Sequence, residues 1–147
     1  MDSIRINAGV KKIAINDDPE RIITFNPTDI GFAERFYALI QDFEGKQTEY
    51  QKRAVEIDGN QTLDENGLPT NMTERLEFVR EVCEYMHAGI DKLFGAGTSQ
   101  AAFEGALSLE MVGEFFEGIT PFVQQARQTK LTRYTRPAQT KKGAVLK

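Results

Sequence analysis

Apolar residues in this chain recur at every second position up to about residue 25, and three or four positions apart after it. That change of period constrains the fold more than any other feature. Period two lines one face of a strand, and period 3.6 lines one stripe of a helix. In the first segment Ile4 and Ile6 flank Arg5, Asn7-Ala8-Gly9 offers a turn, and Ile13 and Ile15 share a face. Asn16-Asp17-Asp18-Pro19 is a second turn signal, and the β-prone run Ile22-Ile23-Thr24-Phe25 follows it. The pattern predicts two or three short antiparallel strands. So small a sheet needs helices against one of its faces.

The remainder reads as helix. Asn26-Pro27-Thr28-Asp29 supplies a cap and a proline suited to a first turn. Phe32, Phe36, Leu39, Ile40 and Phe43 then fall on one side. Gly45 is expected to end or bend that helix, with a more polar helix over 46–57 and an exposed loop over 58–70. Asn71-Met72-Thr73-Glu74 fits a capping box. The helix after it carries Leu76, Val79, Cys83, Met86, Ile90 and Leu93 on one stripe and stops at Gly95. One or two turns near 99–104 are closed by Gly105. Ser108 caps a last helix with two stripes: Leu109, Val112, Phe116, Ile119 and Val123, then Met111, Phe115 and Phe122. Pro121 should kink it, or a break at Gly118 should let Pro121 start a new helix. The expected fold is mainly α (α+β). A helical bundle of four or five helices carries a small N-terminal antiparallel β-hairpin or three-stranded sheet. A single α-rich domain spans 1–129, and 130–147 is a basic flexible tail.

At 147 residues the chain is the size of one domain. One cysteine and one histidine argue against a disulfide framework and against a Cys/His zinc site. No apolar run approaches the roughly 20 residues of a membrane span. The first residues lack an apolar signal segment, so a cytoplasmic protein with no membrane partner is expected. Charge is distributed unevenly. Residues 1–126 hold 22 acidic and 11 basic side chains, whereas residues 127–147 hold seven basic and none acidic.

Several small motifs have plainer readings. Cys83 and His87 stand four apart on a helix, as a thiolate and its base can. Cys83 lies on the apolar stripe, however, and reads as a small hydrophobe. Asp58-x-Asn60-x-Thr62-x-Asp64 looks like a calcium loop, but Leu63 stands where glycine is needed and Pro69 where glutamate is needed. Gly95-Ala96-Gly97-Thr98-Ser99 has no lysine and follows a helix, so it reads as a cap and linker rather than a phosphate cradle. The carboxylates lie on polar helix faces. No catalytic residue, metal ligand or cofactor is expected, and the chain does not read as an enzyme.

Two features point instead to partners. Ten phenylalanines and four tyrosines are many for this length. Phe78 and Tyr85 lie on the flank opposite the core stripe, and Met111, Phe115 and Phe122 widen the last helix's apolar face. Burial between neighbouring helices is one reading of these five. A partner-binding surface is the other. The second feature is the basic tail, with Lys130, Arg133, Arg136, Lys141 and Lys142. It could solubilise, order on an acidic partner or fold back on the acidic body. Nucleic acid is disfavoured, because Tyr134 alone could stack on bases and the body is acidic.

The order of signals resembles a known family. A β segment leads into Asp29-Ile30-Gly31-Phe32-Ala33-Glu34-Arg35-Phe36. A polar linker precedes a helix ending in Asp91-Lys92-Leu93-Phe94-Gly95-Ala96-Gly97-Thr98-Ser99. Phe103-Glu104-Gly105 and a Phe-rich helix follow. This is similar to the tail assembly chaperone-like proteins of long-tailed bacteriophages and prophages, over roughly residues 20–127. The resemblance implies a non-enzymatic assembly factor in the bacterial host cytoplasm that engages the helical tape measure protein or another tail protein. Self-association is a further expectation. The competing reading is a structural tail or connector subunit whose basic C-terminal arm orders on a neighbour. A nucleic-acid-binding accessory protein ranks below both.

Overall fold

The computed structural model describes the backbone of residues 1–135 and the side chains of residues 1–126. Strands β1 (Lys11–Ile15) and β2 (Asp18–Phe25) form an antiparallel hairpin, followed by helices α1 (Ile30–Asp58), α2 (Met72–Phe94), α3 (Thr98–Phe103) and α4 (Leu109–Thr135). The mainly helical architecture with a small β part is the expected one. The three-stranded alternative falls away: Ile4 and Ile6 are 84% and 80% exposed and outside the described strands.

The hairpin turns through Asn16 and Asp17, both at positive φ (52° and 61°). Two central residues with positive φ give the backbone twist that a two-residue hairpin needs, and Asn and Asp tolerate it best after glycine. Ala14 pairs with Ile22 but Ile15 with Asp18, so residues 19–21 bulge out of register. The bulge aims Arg21 across the molecule. Its Nε and Nη2 donate to the carbonyls of Ala101 and Ala102 at 2.8 and 2.9 Å, and its Nη1 lies 3.3 Å from Glu104. These carbonyls end α3, where a cation is favoured.

Helix α1 starts where Asp29 accepts a hydrogen bond from the Gly31 amide at 3.0 Å. It then runs unbroken through Gly45, which corrects the expected division into two helices. Its 29 residues give about 43 Å. Helix α2 starts at the expected place by a different device. The Asn71 side chain makes no cap bond; it donates to the Ile57 carbonyl at 2.9 Å and accepts from Arg75 Nε at 2.7 Å. Arg75 also binds Asp58 at 2.7 Å, so the loop is closed at its base. Within the loop, Leu63 pairs with Pro69, and Asp64 Oδ1 accepts from the Asn66 and Leu68 amides. Asp58, Asn60 and Asp64 are thus occupied by loop and helix contacts.

Gly95 and Gly97 turn the chain at φ 117° and 90° into α3, and Asp91 accepts from the Ser99 amide and hydroxyl at 2.7 and 2.8 Å. Ser108 caps α4 as expected, accepting from the Met111 amide at 3.2 Å. Helix α4 passes through Pro121 without a break at Gly118. The Thr120 hydroxyl donates to the Phe116 carbonyl at 2.7 Å, one turn back. The backbone stays helical to Thr135, past the expected end of the body. Arg136, Lys141 and Lys142 lie outside the described residues, as do the side chains of Lys130 and Arg133.

The core occupies one end of the molecule. It joins Ile23 and Phe25 of β2, Phe32, Ala33 and Phe36 of α1, Ile90 of α2, Ala102 and Phe103 of α3, and Val112, Phe115, Ile119 and Val123 of α4. Beyond Phe36 no residue of α1 is buried, and no residue of α2 before Val82 is. The far halves of α1 and α2 therefore project from the core as a two-helix arm.

Candidate functional site

The aromatic excess goes chiefly into the interior. Each of the ten phenylalanines has an aromatic ring partner within 6.4 Å. Phe115 is 7% exposed and packs edge-on against Phe94 and Phe116 at 5.4 Å. Met111 and Phe122 are half-buried against the core. From Val112 onward helix α4 is covered on both stripes, by α1 and α2 on one side and by the hairpin and α3 on the other. Phe78 and Tyr85 are also half-buried, because the unbroken α1 lies over them. An open aromatic surface made of these five residues is corrected to a core position and interhelical positions.

Phe78 and Tyr85 build the seam of the arm. Ring centroids run Phe43 to Tyr85 at 5.9 Å, Tyr85 to Tyr50 at 6.2 Å and Tyr50 to Phe78 at 6.1 Å. The Tyr85 hydroxyl donates to Asp42, and this bond, with partial burial, pushes its pKa up to about 12. Lys46 stands 5.2 Å over the Tyr85 ring and Arg53 4.9 Å over Phe78. Arg53 also forks onto both oxygens of Glu81, holding that carboxyl below its usual range. Nearer the core the helices meet at Gly89, where a Cβ would stand 2.8 Å from Leu39 Cδ1 and 3.3 Å from Phe43 Cζ.

One side of this arm is a slot that is uncovered among the described residues. It spans about 460 Å³ and is lined by Ile40, Tyr50, Ala54, Phe78, Val82, Met86 and Leu109. Leu109 opens α4, so α4 fills the groove between α1 and α2 only from the level of Val82 and Met86 toward the core. Leu76 and Val79 continue the stripe of Cys83, Met86 and Ile90 toward the tip. Those last three are buried or packed on the core, whereas Leu76 is 62% and Val79 38% exposed. Both were expected inside, and they are bare because α4 begins too late to cover them. Residues 37–81 carry ten acidic and five basic side chains, so the arm is acidic.

Cys83 is fully buried, as expected, and burial raises its thiol pKa. The His87 ring stacks on Phe103 at 4.6 Å, and burial lowers its pKa. Both shifts favour neutral side chains, opposite to an activated thiolate–imidazolium pair. Sequence reading missed Arg21, whose partners lie 80 residues away, and the Asp91–Ser99 lock. That lock had a legible sign, a carboxylate in the last turn of one helix and a serine at the start of the next. Residues 91–99 thus form the corner that sets α3 against α2.

No curated protein and no solved structure matches this chain. A family model described as a family of unknown function, DUF6673, matches residues 20–144, which take in most of β2 and all four helices, and the chain belongs to that family.

Proposed function

We propose that this chain is a non-enzymatic assembly chaperone that takes the apolar face of a partner's amphipathic helix into the slot between α1 and α2. The observation that carries the reading is the slot lined by Ile40, Tyr50, Phe78, Val82 and Met86 beyond the start of α4, with Leu76 and Val79 exposed farther along α2 outside its lining. A helix laid there would continue the line of α4 and present apolar residues at spacings of three and four. The arm's acidic excess favours a partner helix with basic flanks. The resemblance to tail assembly chaperones supplies the identity: the tape measure protein of a long-tailed phage, engaged in the bacterial host cytoplasm. Covering a partly exposed Leu or Val contributes roughly 1–2 kcal/mol. A few such residues barely offset the association cost of about 4–15 kcal/mol. Single contacts are therefore weak, which suits a factor that engages a long helix repeatedly and then lets go.

Co-expression with the tape measure gene of the same tail cluster tests this. The partner should stay soluble and co-purify with the wild type. Leu76→Asp/Val79→Asp should lose it by tenfold or more while melting as the wild type does, since both residues are exposed. A partner that stays insoluble, or one held equally by the double variant, would sink the reading. Recovery of the protein at fixed stoichiometry in mature particles would make it a structural tail or connector subunit instead.

A further inference from the structure

The hairpin offers a second surface, independent of the arm. β1 pairs only with β2 among the described residues, so its outer backbone edge is open. Beside it lies a mostly apolar crevice of about 260 Å³, lined by Ile13, Ile15, Phe103, Met111, Phe115 and Gly118, with Glu114 and Asn16 as its polar members. An apolar cavity of about 150 Å³ takes a benzene-sized group, so this one has room for a branched side chain. Residues 1–8 are exposed, and Ile4-Arg5-Ile6 repeats the alternation of Ile13-Ala14-Ile15.

That segment does not fold back onto its own edge. The Asn26 side chain donates to the Ala8 carbonyl. Gly9, at φ 74°, lies so close to Asn26 and Thr28 that a Cβ would overlap the Thr28 hydroxyl. Ala8 and Gly9 thus sit where the register that pairs Lys11 with Phe25 carries them, and the chain leads away from the hairpin.

We infer that residues 2–6 add as a third strand to the β1 edge of a second copy of this chain, setting Ile4 and Ile6 over the crevice beside Ile13 and Ile15. Alternation decides the face, because residues two apart point the same way. Charge decides the direction. A parallel register sets Ile4 beside Ile13, Ile6 beside Ile15, Arg5 beside Ala14 and Asp2 beside Lys11. The antiparallel register that matches the isoleucines sets Asp2 against Asp17. Donor and acceptor are different surfaces of each copy, so the contact either closes into a ring, of which a reciprocal pair is the smallest, or runs on as an open chain.

Sedimentation of the full chain over a concentration series tests this. The wild type should gain mass with concentration. Ile4→Asp/Ile6→Asp removes the donor at exposed positions and should leave a monomer. Gly118→Leu fills the acceptor crevice from a helical position where a Cβ meets nothing within 4 Å, and should also leave a monomer. Mixing the two variants leaves one junction that is intact on both sides. The donor-defective copy still offers an edge and the crevice-filled copy still offers a strand, so one 1:1 complex should return. A wild type that remains monomeric throughout would overturn the inference. So would association unchanged in both variants, or a mixture that stays monomeric.

Discussion

At the residue scale, His87 carries the clearest consequence for stability. Its Nε2 is buried with no hydrogen-bond partner among the described residues, and its ring lies flat on Phe103. Burial lowers its pKa below 6.5, against the smaller opposing pull of Asp91 and Glu84. The unfolded chain therefore takes up the proton more readily than the folded one. The stability linked to His87 is fully present above pH 6.5 and is lost as pH falls below it toward the folded pKa. Denaturant midpoints measured from pH 8 to pH 5 should fall across that window. His87→Phe keeps the stack, removes the orphaned nitrogen and should flatten this part of the profile, with stability at pH 7 equal to or above the wild type. An equally steep fall in the variant would assign the dependence to other groups. The sequence shows His87 at the border of an apolar stripe, but the stacking partner comes from α3 and no local pattern reveals it. Cys83, at the centre of the stripe, was legible for the converse reason: its neighbours in the stripe decide its surroundings.

At the element scale, the glycines show where pattern suffices and where packing overrides it. Gly95 ends α2, and periodicity stops there too. Gly45 interrupts nothing, because one glycine costs a helix only about 0.5–1 kcal/mol. The stripe Phe36, Phe43, Tyr50 runs through it, against α4 near the core and against α2 farther out. Gly45 and Gly89 are both helical, yet their surroundings differ. A Cβ at Gly45 meets nothing within 4 Å, whereas at Gly89 it meets Leu39 and Phe43. Gly45→Ala should raise stability by about 0.4–1 kcal/mol. Gly89→Val should lower it by about 1–3 kcal/mol by forcing the two helices apart. Chemical denaturation measures both, and equal effects would mean that Gly89 does not set the approach of α1 and α2. Pro121 teaches the same lesson for α4. Val123 and Phe122, on the far side of the proline, are held by the core and by Phe25, so tertiary packing keeps the helix going.

At the scale of the whole molecule, helix existence and the hairpin were legible, but which apolar faces stay bare was not. Leu76 and Ile90 look alike in a periodic pattern, and what separates them is where α4 begins. The resulting asymmetry has a dynamic consequence. α1 runs about 43 Å, but its buried residues lie in its first two turns. The rest of the arm is held by a seam of four rings, the Arg53–Glu81 pair and the Arg75 knot at the loop. Exposed ion pairs of this kind contribute roughly 0–1 kcal/mol each. Segments with few buried apolar contacts open locally well below the global unfolding free energy. Amide hydrogen exchange should therefore divide α2 in two. Residues 76–80 should exchange at least about tenfold faster than residues 86–92, a difference of about 1.4 kcal/mol, and α1 should show the same step between its first turns and residues 46–57. A helix bound in the slot would add its apolar face to both arm helices at once. Protection should then rise along the arm and stay unchanged in 86–92. Even protection along both helices of the free chain would mean that the arm is as stable as the core and that the slot has no need of an occupant.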